Sequence, residues 1–208
     1  MHGGTAVPPI SRCSVMTSEA SVDYAQPLPG DFAIWIFIFA ELLVFGVLFA
    51  AYAFARSAHL EMFNAAQLSL NRALGFANTL ILVTSSYFVA RASQSIKVGR
   101  SRACGHWLVA ALGLGGGFLV LKLVEFHQDF ARGISLSTNL FYMFYLALTF
   151  FHFMHVVMGM VILAVVARKA YAGRYSAADH TGVETGGSYW HMVDLVWIIL
   201  FALVYVIH

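Results

Sequence analysis

The last 21 residues, Ser188 to His208, read S-Y-W-H-M-V-D-L-V-W-I-I-L-F-A-L-V-Y-V-I-H. From Leu195 to Ile207 every side chain is apolar or aromatic, which with the flanking residues is enough for one bilayer crossing of about 20 residues. Just ahead of that run stand Trp190, His191 and Asp194. A charge at the centre of a membrane helix costs about 2.5–3.5 kcal/mol, so such groups persist where they meet a partner or a function. This stretch therefore predicts a membrane helix with a polar shoulder, and the remaining chain must supply what the shoulder meets.

The composition agrees. Of 208 residues, 60% are hydrophobic and 11% charged, against about 25% charged in soluble domains. The deficit falls in several long apolar runs, which predicts an all-α polytopic membrane protein. A net charge of +2 gives no footprint for nucleic acid. Cys13 and Cys104 stand alone, without the paired spacing of a disulfide framework or zinc ribbon. Residues 1–30 lack a basic segment followed by an apolar core. They read as a polar, poorly ordered cytoplasmic tail, followed by a transmembrane domain over 31–208.

Five runs are long enough to span: 32–54, 73–90, 107–126, 140–167 and 188–208. Asp31 sits where an N-cap carboxylate accepts from free backbone N–H groups. Residues 55–72, 91–102, 127–139 and 168–187 are expected to be connecting loops. The second run carries Asn78, Thr79, Thr84, Ser85 and Ser86, small polar side chains suited to close helix contact. Gly113 and Gly117 in the third run form a G-x-x-x-G spacing, which predicts a neighbouring helix against them.

With five spans, one end collects Arg12, Arg91, Lys97, Arg100, Arg102, Arg168, Lys169 and Arg174; the other has Arg56, Arg72 and Arg132. The positive-inside rule then puts the N-terminus in the cytoplasm and the C-terminus outside, in a bacterial inner membrane with the C-terminus periplasmic.

The polar groups inside the runs are the candidate site. Glu41, nine residues after Phe32, lies about 13 Å along its helix; it is expected to be protonated and bonded to a neighbour, or to handle protons or contact lipid. Lys122 and Glu125 are three apart on one face and predict an intrahelical ion pair. His152 and His155 share a face in the fourth span, and His191 and Asp194 lie near the cytoplasmic end of the fifth. These four are expected to make structural hydrogen bonds between helices, His191 and Asp194 as an i, i+3 pair. No metal site is predicted, because two imidazoles lack the third and fourth ligands such a site needs.

These residues bring a family into view. Tyr189–Trp197, Y-W-H-M-V-D-L-V-W, resembles the signature W-H-[FM]-x-D-x-[VL]-W of haem–copper oxidase subunit III. Phe150–Gly159, F-F-H-F-M-H-V-V-M-G, resembles that family's [TG]-x-H-x-x-H-[VL]-x-x-G. Around Glu41, F-I-F-A-E-L-L-V-F-G-V-L-F resembles its segment with an intramembrane Glu, and Asn78–Ser86 and Leu121–Phe126 add matches in the two remaining spans. Each motif alone is weak, but the ordered set covers nearly the whole chain beyond residue 30. Within the five-span members, Leu136–Thr149 and the opening P-G-D-F-A-I-W look most like the NorE-type accessory protein of nitric oxide reductase.

The resemblance implies a non-catalytic bundle that binds no haem or copper itself and docks on a catalytic subunit. In the NorE-type reading it supports nitric oxide reductase activity. In the alternative, an ordinary cytochrome c oxidase subunit III, it assists proton uptake and protects the catalytic subunit. Structural phospholipids in a V-shaped cleft and a carbodiimide-reactive carboxyl at Glu41 are implied likewise. Two other classes stay open on the residues: an intramembrane metalloenzyme using His152, His155 and His191, and a transporter coupled through Glu41.

Overall fold

A computed structural model describes residues 31–207; the polar tail and His208 lie outside the described residues. The elements are α1 (Phe32–Ala58), α2 (Leu60–Leu68), α3 (Arg72–Lys97), α4 (Ser101–Ala131), α5 (Leu140–Tyr171) and α6 (Thr181–Phe201), continued by a π-helical turn, Ala202–Val206. Five helices, α6 taken with its π turn, are long and apolar enough to cross a membrane. The five-span expectation stands, and every span is longer than its apolar run.

The extra length corrects the loops. α3 runs on to Lys97, α4 occupies 101–131, and α6 starts at Thr181, so most of the polar flanks at 91–102 and 168–187 are helical turns. Intrahelical hydrogen bonds satisfy the backbone wherever no breaker intervenes, whatever the side chains carry. The breakers are Gly99 and Gly173, at φ 75° and 67°. They close α3 and α5 in the left-handed conformation that only glycine adopts cheaply. The first expected loop holds α2, nine residues whose Phe63, Ala66 and Gln67 are buried.

Helix starts follow the caps. Asp31 Oδ1 accepts from Ala33 N–H at 3.2 Å, as its position before the first run predicts. Asn71 and Asn139 do the same for α3 and α5, accepting from Leu74 and Tyr142 N–H at 3.1 and 2.8 Å.

α3, α4, α5 and α6 form the core, with α3 packed most extensively on α4, α4 on α5, and α6 against α5 and α3. α1 touches them along a thin seam: its buried residues, Ile38, Phe45 and Tyr52, recur every seventh position and mark one narrow stripe. Close helix approach is concentrated at Trp190. A methyl group added to Gly115 of α4 would lie 2.9 Å from Trp190 Cη2, and one added to Gly159 of α5 would lie 2.9 Å from its Cε3. The indole thus fills the space two glycines leave. Gly113 and Gly117, expected to meet a neighbour, have nothing within 4 Å of an added methyl. The G-x-x-x-G face points out of the bundle.

Candidate functional site

Where the fourth span meets α1, Glu41 Oε2 lies 3.0 Å from His155 Nε2. His155 Nδ1 lies 2.8 Å from the Phe151 carbonyl oxygen; a carbonyl only accepts, so Nδ1 carries a hydrogen. One further proton then resides in the Nε2···Oε2 contact, on carboxyl or imidazole. Phe45 packs edge-on to the His155 ring, centroids 5.2 Å apart. The Tyr189 hydroxyl donates to the His155 carbonyl at 3.4 Å. The pair joins α1 to α5 in apolar surroundings.

One turn earlier, His152 is fully buried and neither ring nitrogen has a hydrogen-bond partner among the described residues. Trp197, Phe118 and Phe45 surround it at ring-centroid distances of 5.2, 5.9 and 6.5 Å. This corrects the expected interhelix hydrogen bond. The imidazole sits among aromatic rings of α1, α4 and α6 instead.

The Lys122–Glu125 pair forms as its spacing predicts, at 2.9 Å, but it is the centre of something larger. Lys122 has no solvent exposure. Its ammonium also donates to the Tyr205 hydroxyl at 3.1 Å and approaches the Tyr145 hydroxyl at 3.5 Å. Both tyrosines in turn donate to Glu125 Oε1, at 2.7 and 2.9 Å. The rings of Tyr145, Phe126, Trp197 and Tyr205 lie 5.1–5.7 Å from the nitrogen, inside cation–π range. Asp129 completes the group, its Oδ2 3.4 Å from the Tyr145 hydroxyl. One helical stripe could have exposed part of this in the sequence: Tyr145, Thr149, His152 and His155 recur at i, i+4, i+7 and i+10 on α5 and are all buried. Tyr205 gave no such signal, because the π-helical turn sets its register.

That turn has its own partner. Gln67 of α2, fully buried, donates to the carbonyls of Leu203 and Val204 at 3.2 and 3.0 Å, and the Tyr52 hydroxyl reaches Leu203 O at 3.3 Å. Carbonyls at a helix C-terminus lack intrahelical donors; here a neighbouring helix provides them.

On α6, His191 and Asp194 are not a directly bonded pair. His191 Nδ1 lies 2.6 Å from Ser86 Oγ on α3. The expected i, i+3 bond is replaced by a contact from His191 to α3, while Asp194 Oδ1 has no hydrogen-bond partner among the described residues. Two further ties join this part of the bundle: Trp197 Nε1–H donates to Thr79 Oγ1 at 3.0 Å, and Ser85 Oγ donates to the Ala111 carbonyl at 2.9 Å. Among the described residues, no three His, Cys, Asp or Glu side chains converge to hold a metal ion, and His191, tied to Ser86, does not join His152 and His155.

Residues 30–208 match the protein family described as Cytochrome c oxidase subunit III. The chain is 36% identical over 191 residues to Cytochrome c oxidase subunit 3 of Thermostichus vulcanus, covering 90% of this chain and 92% of that one. It is 34% identical over 191 residues to the protein of that name from Synechocystis sp., covering 91% and 80%. A similarity of 28% over 170 residues links it to a Probable cytochrome c oxidase subunit 3 of Nocardia farcinica, covering 82% and 84%.

Proposed function

The chain belongs to the cytochrome c oxidase subunit III family, and from that premise we propose that it is a non-catalytic integral-membrane subunit of a haem–copper oxidase complex. The observation that carries the reading is the match over residues 30–208, which takes in all five spanning helices and with them Glu41, Lys122, His155 and Asp194. The NorE-type reading rested on Leu136–Thr149 and the opening around Trp35. The relatives aligned over about nine-tenths of the chain are oxidase subunits, which favours the oxidase as partner. The electron-transfer chemistry then belongs to the catalytic subunit. This chain contributes a rigid, lipid-embedded bundle and the Glu41–His155 pair.

The test is purification of the tagged full chain from its own membrane in mild detergent. The expected result is co-purification with a catalytic subunit carrying the haem spectrum of an oxidase. A nitric oxide reductase in its place would restore the NorE-type reading, and a chain that never associates with either would remove both.

For Glu41, the role that follows is proton exchange at the edge of the catalytic subunit. Glu41→Gln keeps the size of the side chain and a donor toward His155 Nε2, so assembly is expected to be unchanged while proton uptake by the complex slows. Uptake measured in reconstituted vesicles checks this; equal uptake with equal assembly would leave Glu41 a packing residue. Phospholipid bound within the bundle's clefts is part of the same proposal, and lipid analysis of the purified complex reads it out.

A further inference from the structure

Towards the end of the bundle that carries Arg132, the cluster around Lys122 holds one cation and two carboxyl groups. Lys122 and Tyr145 have no solvent exposure, and Tyr205, Glu125 and Asp129 are 1%, 4% and 9% exposed. Lys122 and Glu125 already cancel as an ion pair. Glu125 also has both carboxyl oxygens occupied as acceptors. Oε2 takes the ammonium at 2.9 Å, and Oε1 takes the phenol hydrogens of Tyr205 at 2.7 Å and Tyr145 at 2.9 Å. An acid whose two oxygens only accept is an ionised carboxylate.

Asp129 has different company. The hydrogen-bond contact of its side chain runs from Oδ2 to the Tyr145 hydroxyl, at 3.4 Å. That hydroxyl has a single hydrogen to give, and the shorter contact to Glu125 claims it. Lys122 approaches the same phenol oxygen at 3.5 Å, which fills a lone pair and brings no hydrogen to Asp129. Two oxygens in contact need a hydrogen between them, and the group left to carry it is the Asp129 carboxyl. Counter-charge is lacking too. Arg132, three residues on, makes no ion pair among the described residues. His127 is exposed, Tyr142 of α5 is turned to Ser69 at 2.6 Å, and Tyr205 of the π turn is engaged by Glu125 and Lys122. Two carboxyl groups around one buried ammonium do not both remain charged; one of them takes up a proton.

We infer that Asp129 is a proton-binding site, held as the neutral acid at neutral pH and donating to the Tyr145 hydroxyl. Through its remaining exposure it trades that proton with the water at its end of the bundle. When the proton leaves, the Tyr145 hydrogen turns to the new carboxylate, and Glu125 Oε1 keeps Tyr205 alone. Binding or release of the proton thus switches one of the hydrogen bonds joining α4 to α5, with the proton passing to or from water and no heavy-atom bond changed. The inference goes beyond the subunit role proposed above and does not depend on it.

The experiment is infrared spectroscopy of the full chain, purified with whatever subunits accompany it and isotopically labelled at the aspartate carboxyl carbon. At neutral pH, the spectrum of the parent minus that of Asp129→Asn should show one carboxylic-acid C=O band, replaced by carboxylate bands in alkali. Asp129→Asn should assemble and melt as the parent does, because its amide N–H donates to Tyr145 where the acid did. Glu125→Gln leaves Asp129 as the carboxyl group that must balance Lys122, so the acid band should vanish at neutral pH. Asp194→Asn on α6 should leave it intact. Carboxylate bands alone in the neutral difference spectrum overturn the proposal, as does an acid band that survives Glu125→Gln. A lower melting temperature for Asp129→Asn also overturns it, since a charge would then have been lost. If Glu125→Gln fails to assemble, the Asp129→Asn difference spectrum decides.

Discussion

An ammonium group with no solvent contact, such as Lys122 Nζ, forgoes several kcal/mol of hydration and must regain it from its neighbours. The neighbours are countable here: one carboxylate at 2.9 Å, two phenolic oxygens and four aromatic rings. Lys122→Met would leave Glu125 charged and buried, so a loss of about 3–5 kcal/mol is expected, measured by unfolding in mixed micelles. Adding Glu125→Gln should restore most of it. A single variant as stable as the parent would show that the cluster is not balanced by charge. The sequence disclosed the Lys122–Glu125 contact because i, i+3 spacing is a local constraint, and it marked Glu41 because a lone carboxyl in an apolar run needs an explanation. It could not disclose that His155 is the partner of Glu41 while His152 has none. The two imidazoles carry the same local pattern, and the packing of Phe118 and Trp197 around His152 separates the cases.

Helix contacts were legible in kind and misplaced in position. A glycine-rich α4 implies close approach, yet the approach is at Gly115, against Trp190, and not at Gly113 or Gly117. A spacing rule identifies a face and says nothing of which way that face is turned. The contrast gives a direct measurement. Gly115→Ala and Gly159→Ala should each destabilise the bundle by about 1–3 kcal/mol through overpacking against a fixed indole. Gly113→Ala and Gly117→Ala should be neutral, or stabilising by up to about 1 kcal/mol, because alanine favours helix. Thermal unfolding in detergent orders the four; equal effects at all positions would contradict the close packing at Trp190. Helix ends are less legible, because the polar side chains at 91–97 and 181–187 have the composition of loops and yet are helical. Intrahelical hydrogen bonding continued until Gly99 or a cap intervened.

For the molecule as a whole, the number of spans followed from apolar run length alone, and five helices meet that criterion. The sidedness we propose is read from charge: Arg91, Lys97, Arg100, Arg102, Arg168, Lys169 and Arg174 gather at one end, with Arg56, Arg72 and Arg132 at the other. Single cysteines at Ser137 and Ala177, both exposed, in a Cys104→Ser and Cys13→Ser background, test this with an impermeant thiol reagent. Ser137→Cys should label in intact spheroplasts and Ala177→Cys only in inverted vesicles; the reverse pattern would invert the topology. What charge and run length could not reveal is the unequal attachment of the helices. α1 touches the core by a stripe of one residue in seven, whereas α3 to α6 enclose one another.

The buried network also bears on the order in which the chain is made. α4 leaves the ribosome well before Tyr145, and far ahead of Tyr205, which lies near the end of the chain. Lys122 and Glu125 therefore reach lipid before either hydroxyl is in place to receive them, Tyr145 lying 20 and Tyr205 80 residues beyond Glu125. Their three-residue spacing lets α4 travel as a helix that is neutral within itself, and α5 and α6 then assemble around a pair already formed. Placing the same two charges on separate helices would oblige the insertion machinery to hold a bare ammonium group in hydrocarbon until its partner had been synthesised.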